Sequence, residues 1–271
     1  MLYAACVQHG MERGGTVLAL GGGVAGDMAG FVAATFMRGV AWANLSTTVL
    51  AMADASLGGK VGVDLPEGKN LVGAFHPPAL VVADFDVLGT LPEIEVRCGL
   101  AEIFKAGLIG DAKLFEALLN GSLALEAAIL RAAAVKVGVV NADPYEQGER
   151  ATLNLGHTIG HGVEMASGLR LRHGEAIAIG MAAETRIAET LGVAETGLSE
   201  RVAAGLEKLG LPQRCSGLKP DEILTAMQSD KKKAGGRLKY ALPRRPGEAV
   251  WGQTVELDLL RTVLEELTHA E

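Results

Sequence analysis

His157, His161 and His173 are half of the chain's six histidines and fall within seventeen residues, in a stretch that reads GHTIGHGVEMASGLRLRHG with its flanking glycines. Imidazole titrates near neutrality and is the commonest metal-binding side chain, so the cluster could hold a cation, carry protons, or both. His157 and His161 are four apart and share one face of a helix, whereas His173 lies sixteen residues beyond the first. Glu102 and Lys105, three apart in GLAEIFKAG, also share a helical face, and their apolar neighbours favour burial or a cleft over a solvated pair. One carboxylate with two imidazoles makes a three-ligand zinc site with a position open for substrate oxygens. Two arrangements meet that count: His157 with His173, leaving His161 for proton transfer, or His157 with His161, leaving His173 as the base. Spacing by itself favours the second.

A different chemistry is written near the start. Gly21, Gly23 and Gly26 form G-x-G-x-x-G directly after the apolar run TVLAL. Without Cβ atoms such a loop turns tightly and approaches a pyrophosphate, whose charge the amides of the following helix can receive. A tight strand-to-helix crossover uses the same residues. The acidic residue expected about 20 positions on, to hold an adenine ribose, is missing. The chain reads VAWANL there, and Asp27 and Asp54 stand elsewhere. The next loops carry Asp54, Gly58, Gly59, Lys60, Lys69 and Asn70. Lysine and amide donors on glycine-shaped loops suit a phosphorylated, hydroxylated ligand, and each lysine separately also suits a solvated β-hairpin turning at Pro66-Glu67-Gly68-Lys69.

The elements that must position these residues fall into two regions. With 271 residues, 49% hydrophobic positions and 21% charged ones, the chain can bury one large core or two smaller ones. A net charge of -7 disfavours nonspecific attraction to nucleic acid or anionic membrane. Cys6, Cys98 and Cys215 form neither a ligand-like pair nor a disulfide framework, which fits a reducing cytoplasm. The opening MLYAACVQHG lacks the cationic head of a signal peptide, and no apolar run reads as a membrane span. Before residue 90, a short helix over 2–10 and strands over 16–20, 40–45 and 79–83 predict a partial Rossmann-like parallel-sheet nucleotide domain, with fewer strands than a closed layer needs. From residue 91 the period changes. Helices are predicted over 95–108, 112–119, 123–140, 157–166, 174–191, 199–209, 221–228 and 255–269, with one short strand at 238–242. Asp111 and Asn154 are expected to start the helices that follow them, and Asp221, just after Pro220, another. The fold class is thus α/β plus all-α, with a nucleotide domain over 1–90 and a helical metal- and substrate-binding domain over 91–271.

The segments GGGVAGDMAGFVAATFMRG, LGGKVGV, PEGKNLVGAFHPP, RCGLAEIFKAGLI, ERATLNLGHTIGHGVE and RHGEAIAIGM, with QSDKKKAGGRLKYAL near the end, resemble in order the signature segments of the 3-dehydroquinate synthase family of sugar-phosphate cyclases. The resemblance implies a zinc site of Glu102, His157 and His173, with cobalt as a possible substitute, and His161 as the histidine beside the substrate phosphate. It implies catalytic or substrate roles for Lys105, Lys136, Arg150, Asn154 and Lys232, the last favoured over Lys231. Arg38, Asp54, Lys60 and Asn70 become substrate contacts from the first region. Gly21, Gly22, Gly23, Gly26, Asp27, Thr47, Thr48 and Lys69 become contacts of NAD+. The implied reaction converts 3-deoxy-D-arabino-heptulosonate 7-phosphate to 3-dehydroquinate and phosphate by transient oxidation, phosphate elimination, reduction and an intramolecular aldol closure. A homodimer is implied as well.

The chain departs from the family pattern at Ser46, where proline is usual, at Val61, where threonine is common, and at Asp64, where asparagine is frequent. Family members also carry roughly 80 further residues before the equivalent of Leu2, which supply the adenosine end of the cofactor site. The expectation is therefore that the 271-residue chain binds NAD more weakly than its relatives, which calorimetric titration measures directly. Another sugar-phosphate cyclase, a metal-dependent polyol dehydrogenase and an inactive remnant are the competing readings.

Overall fold

The computed structural model describes residues 1–65, 68–233 and 238–269, with side chains described outside 68–70 and 229–233. The chain divides into two compact units, Met1–Val96 and Arg97–Glu271.

In the first unit α1 (Leu2–Gln8) precedes β1 (Thr16–Gly21), α2 (Gly23–Thr35) and β2 (Ala41–Ser46), followed by β3 (Lys60–Leu65), β4 (Gly68–Phe75) and β5 (Leu80–Ala83). The three expected strands form a parallel sheet in the order β1-β2-β5. Register pairs Leu18 with Ala43 and Ala43 with Leu80, and likewise Leu20 with Leu45 and Leu45 with Val82. Alternation therefore puts Leu18, Leu20, Leu80 and Val82 on one face, and that face is open, with Leu18 67% and Leu20 71% exposed. The other face is the core: Ala19 and Trp42 pack with Ala33, Phe36, Val40 and Val61. The two-stranded hairpin β3–β4 is antiparallel, with Lys60 opposite Phe75. The lysine-bearing loops are thus hairpin arms in their backbone. Lys69 and Asn70 lie outside the described side chains.

Burial pushes the Asp27 carboxyl on α2 up to about 6, and the neighbouring charge of Asp64 on β3 adds to the shift. A raised carboxyl binds its proton more tightly in the folded than in the unfolded chain, so its contribution is full below the ordinary value near 3.8 and is lost as pH rises through about 6. Stability is expected to fall across that window. Asp27→Asn should remove the fall and gain on the order of 1 kcal/mol at pH 7 once solvent screening is allowed for, as urea melts of both proteins at pH 4.5 and 7 will measure.

The second unit takes in most of α3 (Glu93–Gly110) and continues with α4 (Ala112–Asn120), α5 (Leu125–Ala142), α6 (His157–Ala166), α7 (His173–Thr190), α8 (Leu198–Lys208), α9 (Pro220–Lys233) and α10 (Leu257–Thr268). These match the predicted helical series, with ends displaced by a few residues. Local signals explain several boundaries. Asp111 starts α4 by accepting a hydrogen bond from the Leu114 amide at 3.1 Å, and Gly121 ends it at φ 64°. The expectation for Asn154 is corrected: it sits in a 3-10 turn, Glu149–Asn154, and its Nδ2 donates to Glu146 at 2.8 Å, while Gly156 takes the capping position of α6. The single predicted strand at 238–242 is instead the first arm of a hairpin, β6 (Tyr240–Arg245) with β7 (Glu248–Gln253), turning through Gly247 at φ 82°. Pro243 and two arginines interrupt the alternation and hide the pair from a periodicity reading. Among the described residues no helix is long and apolar enough to cross a membrane.

Candidate active site

Three helices of the second unit bring the charged and imidazole side chains together. Glu102 and Lys105 project from α3 and are buried as an ion pair, their side chains only 2–3% exposed. Glu102 Oε1 lies 3.3 Å from His173 Nε2 and 3.6 Å from His157 Nε2. One nitrogen from each of those histidines and one carboxylate oxygen lie within 4.8 Å of one another, the size of a first coordination sphere. His161, one turn after His157 on α6, stacks edge-on to it at 5.3 Å between ring centres and stands 6.2 Å from His173. The i,i+4 pair therefore does share a face. The carboxylate, however, approaches the nitrogens of His157 and His173, which is the arrangement that spacing alone did not favour.

Local structure orients each ring. The Leu155 carbonyl takes the Nδ1 proton of His157 at 3.1 Å, so Nε2 carries the lone pair that faces Glu102. His173 is the first residue of α7. Its turn is held by Glu175, whose carboxylate accepts from the Arg172 amide at 2.8 Å. Gly174 lets that turn sit against α3: a Cβ there would fall 2.4 Å from the backbone of Cys98, one turn before Glu102.

Electrostatics prepare the set for a cation. Burial raises the Glu102 carboxyl, but the Lys105 charge, the His173 hydrogen bond and the two imidazoles outweigh it and hold Glu102 well below the usual carboxylate range. Burial, then the Lys105 charge, drives His157 well below the usual imidazole value despite the opposing pull of Glu102. Both groups are thereby in the forms that donate electron pairs to a metal. The residues present fit a divalent zinc-like ion: two imidazole nitrogens and one oxygen of a buried carboxylate, which Lys105, His157 and His173 surround.

Sequence reasoning missed two glutamates here. Glu164, buried on α6, forms a second three-ligand group with His161 and His173, and its signal was the three-residue spacing from His161. Glu184 on α7 is wholly buried, and burial pushes its carboxyl up to about 8 against the lowering effect of backbone amides at Gly156, Ile159 and Thr158. No linear signal marks it.

The other expected residues of this unit lie on adjoining elements. Arg150 and Asn154 stand in the 3-10 turn 149–154, against which α5, the helix of Lys136, packs. Arg150 is 1% exposed and donates through Nη1 to the Pro144 carbonyl at 2.5 Å. Lys231 and Lys232 belong to the last turn of α9, and their side chains lie outside those described.

In the first unit the glycine loop and the two threonines come together. The Thr47 amide donates to the Gly21 carbonyl at 2.9 Å, and a Cβ at Gly22 would lie 3.0 Å from the Thr48 methyl. Gly26 allows α2 to close on β2, since a Cβ would sit 2.7 Å from Asn44 Nδ2. The start of α2 has no side-chain cap, so its amides are available to an anion. Asn44 Oδ1 and Ser46 Oγ are buried beside it with no hydrogen-bond partner among the described residues. These features fit a dinucleotide phosphate. Arg38 follows Met37 in left-handed backbone, at φ 69° and 49°, Asp54 lies in the wide turn Ala51–Ala55, and Lys60 is exposed on β3.

Residues 1–98 match the sequence model of the 3-dehydroquinate synthase N-terminal domain, and residues 99–233 match that of the C-terminal domain. The chain belongs to the 3-dehydroquinate synthase family. A 3-dehydroquinate synthase of Symbiobacterium thermophilum is 46% identical over 98% of this chain and 77% of its own length, so this family member spans about three quarters of that relative. Among solved structures, 2-epi-5-epi-valiolone synthase from Streptomyces hygroscopicus, with NAD+ and Zn2+ bound, superposes with a TM-score of 0.90 at 32% identity, covering 98% of this chain and 77% of the other. A 2-deoxy-scyllo-inosose synthase complexed with carbaglucose-6-phosphate, NAD+ and Co2+ gives 0.88 at 30% identity, with the same coverage. The family's architecture, a Rossmann-like α/β domain followed by an α-helical one, is therefore also that of this member.

Proposed function

We infer that this chain is a 3-dehydroquinate synthase, an NAD- and divalent-metal-dependent carbon–oxygen lyase that converts 3-deoxy-D-arabino-heptulosonate 7-phosphate to 3-dehydroquinate and phosphate on the route to aromatic amino acids. The observation that carries the reading is the convergence of Glu102, His157 and His173 in a chain matched by both family domains. These three residues hold zinc, or cobalt in its place. Gly21, Gly22, Gly23, Gly26, Asp27, Thr47, Thr48 and Lys69 hold NAD+, which assigns residues 1–90 to the cofactor and 91–271 to metal and substrate. When bound, NAD+ accepts and returns a hydride and the metal polarises the carbon–oxygen bond concerned.

The chain's own residues do the rest. Lys105 neutralises the buried charge of Glu102 and keeps a second cationic group beside the substrate oxygens. His161 stands 5.3 Å from the His157 ring and 6.2 Å from that of His173, between ring centres, and the family resemblance assigns it to proton transfer on the phosphate side. Lys136, Arg150, Asn154 and Lys232, with Arg38, Asp54, Lys60 and Asn70, bind the phosphate, carboxylate and hydroxyls. A chain of net charge -7 needs this local concentration of cations to attract a multiply charged anion. A homodimer in the cytoplasm completes the assignment.

The deciding assay supplies the heptulosonate phosphate, Zn2+ and NAD+ and follows phosphate and NADH together. Phosphate release without lasting NADH is expected. Accumulating NADH would identify a dehydrogenase, and a product formed instead from a seven-carbon or six-carbon sugar phosphate lacking the carboxylate would identify another cyclase.

A further inference from the structure

The first turn of α6 begins on Gly156, at φ 80° and with no side chain to satisfy the exposed amides. Helix starts usually meet this need with Ser, Thr, Asp or Asn in the capping position itself. Here the acceptor comes from another helix. Glu184, eleven residues after His173 on α7, places Oε2 2.5 Å from the Gly156 nitrogen and Oε1 3.2 Å from the Ile159 nitrogen. The two donors bracket His157 in the chain. Backbone on either side of that histidine is thus held by one carboxyl, while the Leu155 carbonyl holds its ring. What is left free is Nε2, directed toward Glu102 at 3.6 Å.

The clamp depends on an unusually close helix contact. Gly180, one turn before Glu184, has no Cβ, and the Gly156 carbonyl oxygen occupies the vacant space, 1.9 Å from where a Cβ would be. Glu184 and Ile159 are both fully buried, so water cannot replace a missing acceptor.

We propose that Glu184 is a positioning residue for the metal centre: by clamping the start of α6 from α7 it sets where His157 presents Nε2. This rests on the reading of His157 as a metal ligand. A cap of purely structural value would lower stability without changing the metal's surroundings, and the two roles separate experimentally.

Zn2+ affinity by chelator competition, the Co2+ absorption spectrum and the thermal midpoint are to be compared for the full chain and its Glu184→Gln, Leu264→Ala and His157→Ala variants. Gln keeps the size of the side chain but turns an NH2 toward an amide donor. Glu184→Gln should bind Zn2+ about tenfold more weakly or worse, the range for residues that orient ligands, and shift the Co2+ bands. Leu264→Ala, which opens a cavity on the buried side of α10, should lower the midpoint and leave both metal readouts unchanged. Wild-type affinity and spectrum in Glu184→Gln, alongside lost affinity in His157→Ala, would overturn the clamp alone. Unaltered affinity in His157→Ala would overturn the ligand reading and the clamp with it. Amide exchange on the metal-free wild-type chain tests the same idea should Glu184→Gln not fold. The segment 155–160 is expected to be protected before any metal is added, and protection appearing only with Zn2+ would assign the ordering to the metal and reject the proposal.

Discussion

Glu102→Gln is expected to leave the chain without a tightly held divalent cation and with turnover at background. The substitution removes the carboxylate oxygen that approaches both His157 and His173, at 3.6 and 3.3 Å. It also takes from the Lys105 ammonium, whose side chain is 3% exposed, the carboxylate it pairs with. Breaking a buried pair from one side costs about 3–5 kcal/mol, because the remaining charge has lost its water and gained nothing. For a chain of this size about 3 kcal/mol corresponds to a fall in melting temperature on the order of 6–12 °C. A second substitution sharpens the test. In Glu102→Gln/Lys105→Met the buried ammonium is replaced by an apolar chain of similar length, so stability should largely recover while metal binding does not. Metal content by atomic absorption, thermal melts and phosphate release measure the three quantities. Full zinc stoichiometry and turnover in the single variant would show the ligand set to be wrong.

Gly180→Ala should be the most disruptive single methyl in the second unit. The new Cβ would lie 1.9 Å from the Gly156 carbonyl oxygen and 2.8 Å from the Gly160 nitrogen, and both obstacles are backbone that cannot rotate away. Overpacking commonly costs about 1–3 kcal/mol, and a main-chain collision this deep belongs at or above the upper end. The helices must separate. Since α6 carries His157 and His161 while α7 carries His173, separation also spreads the imidazoles and should weaken zinc binding. Gly138→Ala provides the contrast: nothing lies within 4 Å of its added methyl, and α5 runs through it as regular helix. That change should stabilise by about 0.5–1 kcal/mol through helix propensity. Chemical denaturation of the two variants side by side tests the sign of both effects, and a Gly180→Ala protein as stable as wild type would refute the close-packing account.

Much of this architecture is legible in the chain because its causes are local. Asp111 and Gly121 bound α4 through a side-chain acceptor and a left-handed backbone, both readable as residue types. The run TVLAL followed by glycines announces a strand and crossover, and β1 and α2 occupy those positions. Legibility fails where a boundary depends on a partner from elsewhere. Asn154 has the chemistry of a helix cap but spends its amide on Glu146, and the cap of α6 passes to Glu184, thirty residues away by chain count from that asparagine. The hairpin β6–β7 escaped for a related reason, since Pro243 sits within a strand whose pairing is set by its neighbour rather than by alternation.

The histidine cluster divides in the same way. The sequence by itself determined that His157 and His161 share a face, because a separation of four residues has one geometric meaning on a helix. It determined the family as well, through ordered segments along most of the chain. Spacing left open which imidazoles a carboxylate would meet, and there the tertiary structure decides, because Glu102 is 55 positions before His157 and reaches it and His173 through the packing of α3, α6 and α7 rather than through any repeat. That packing turns on glycines at 156, 174 and 180, whose missing side chains let backbones approach to distances that no spacing rule encodes.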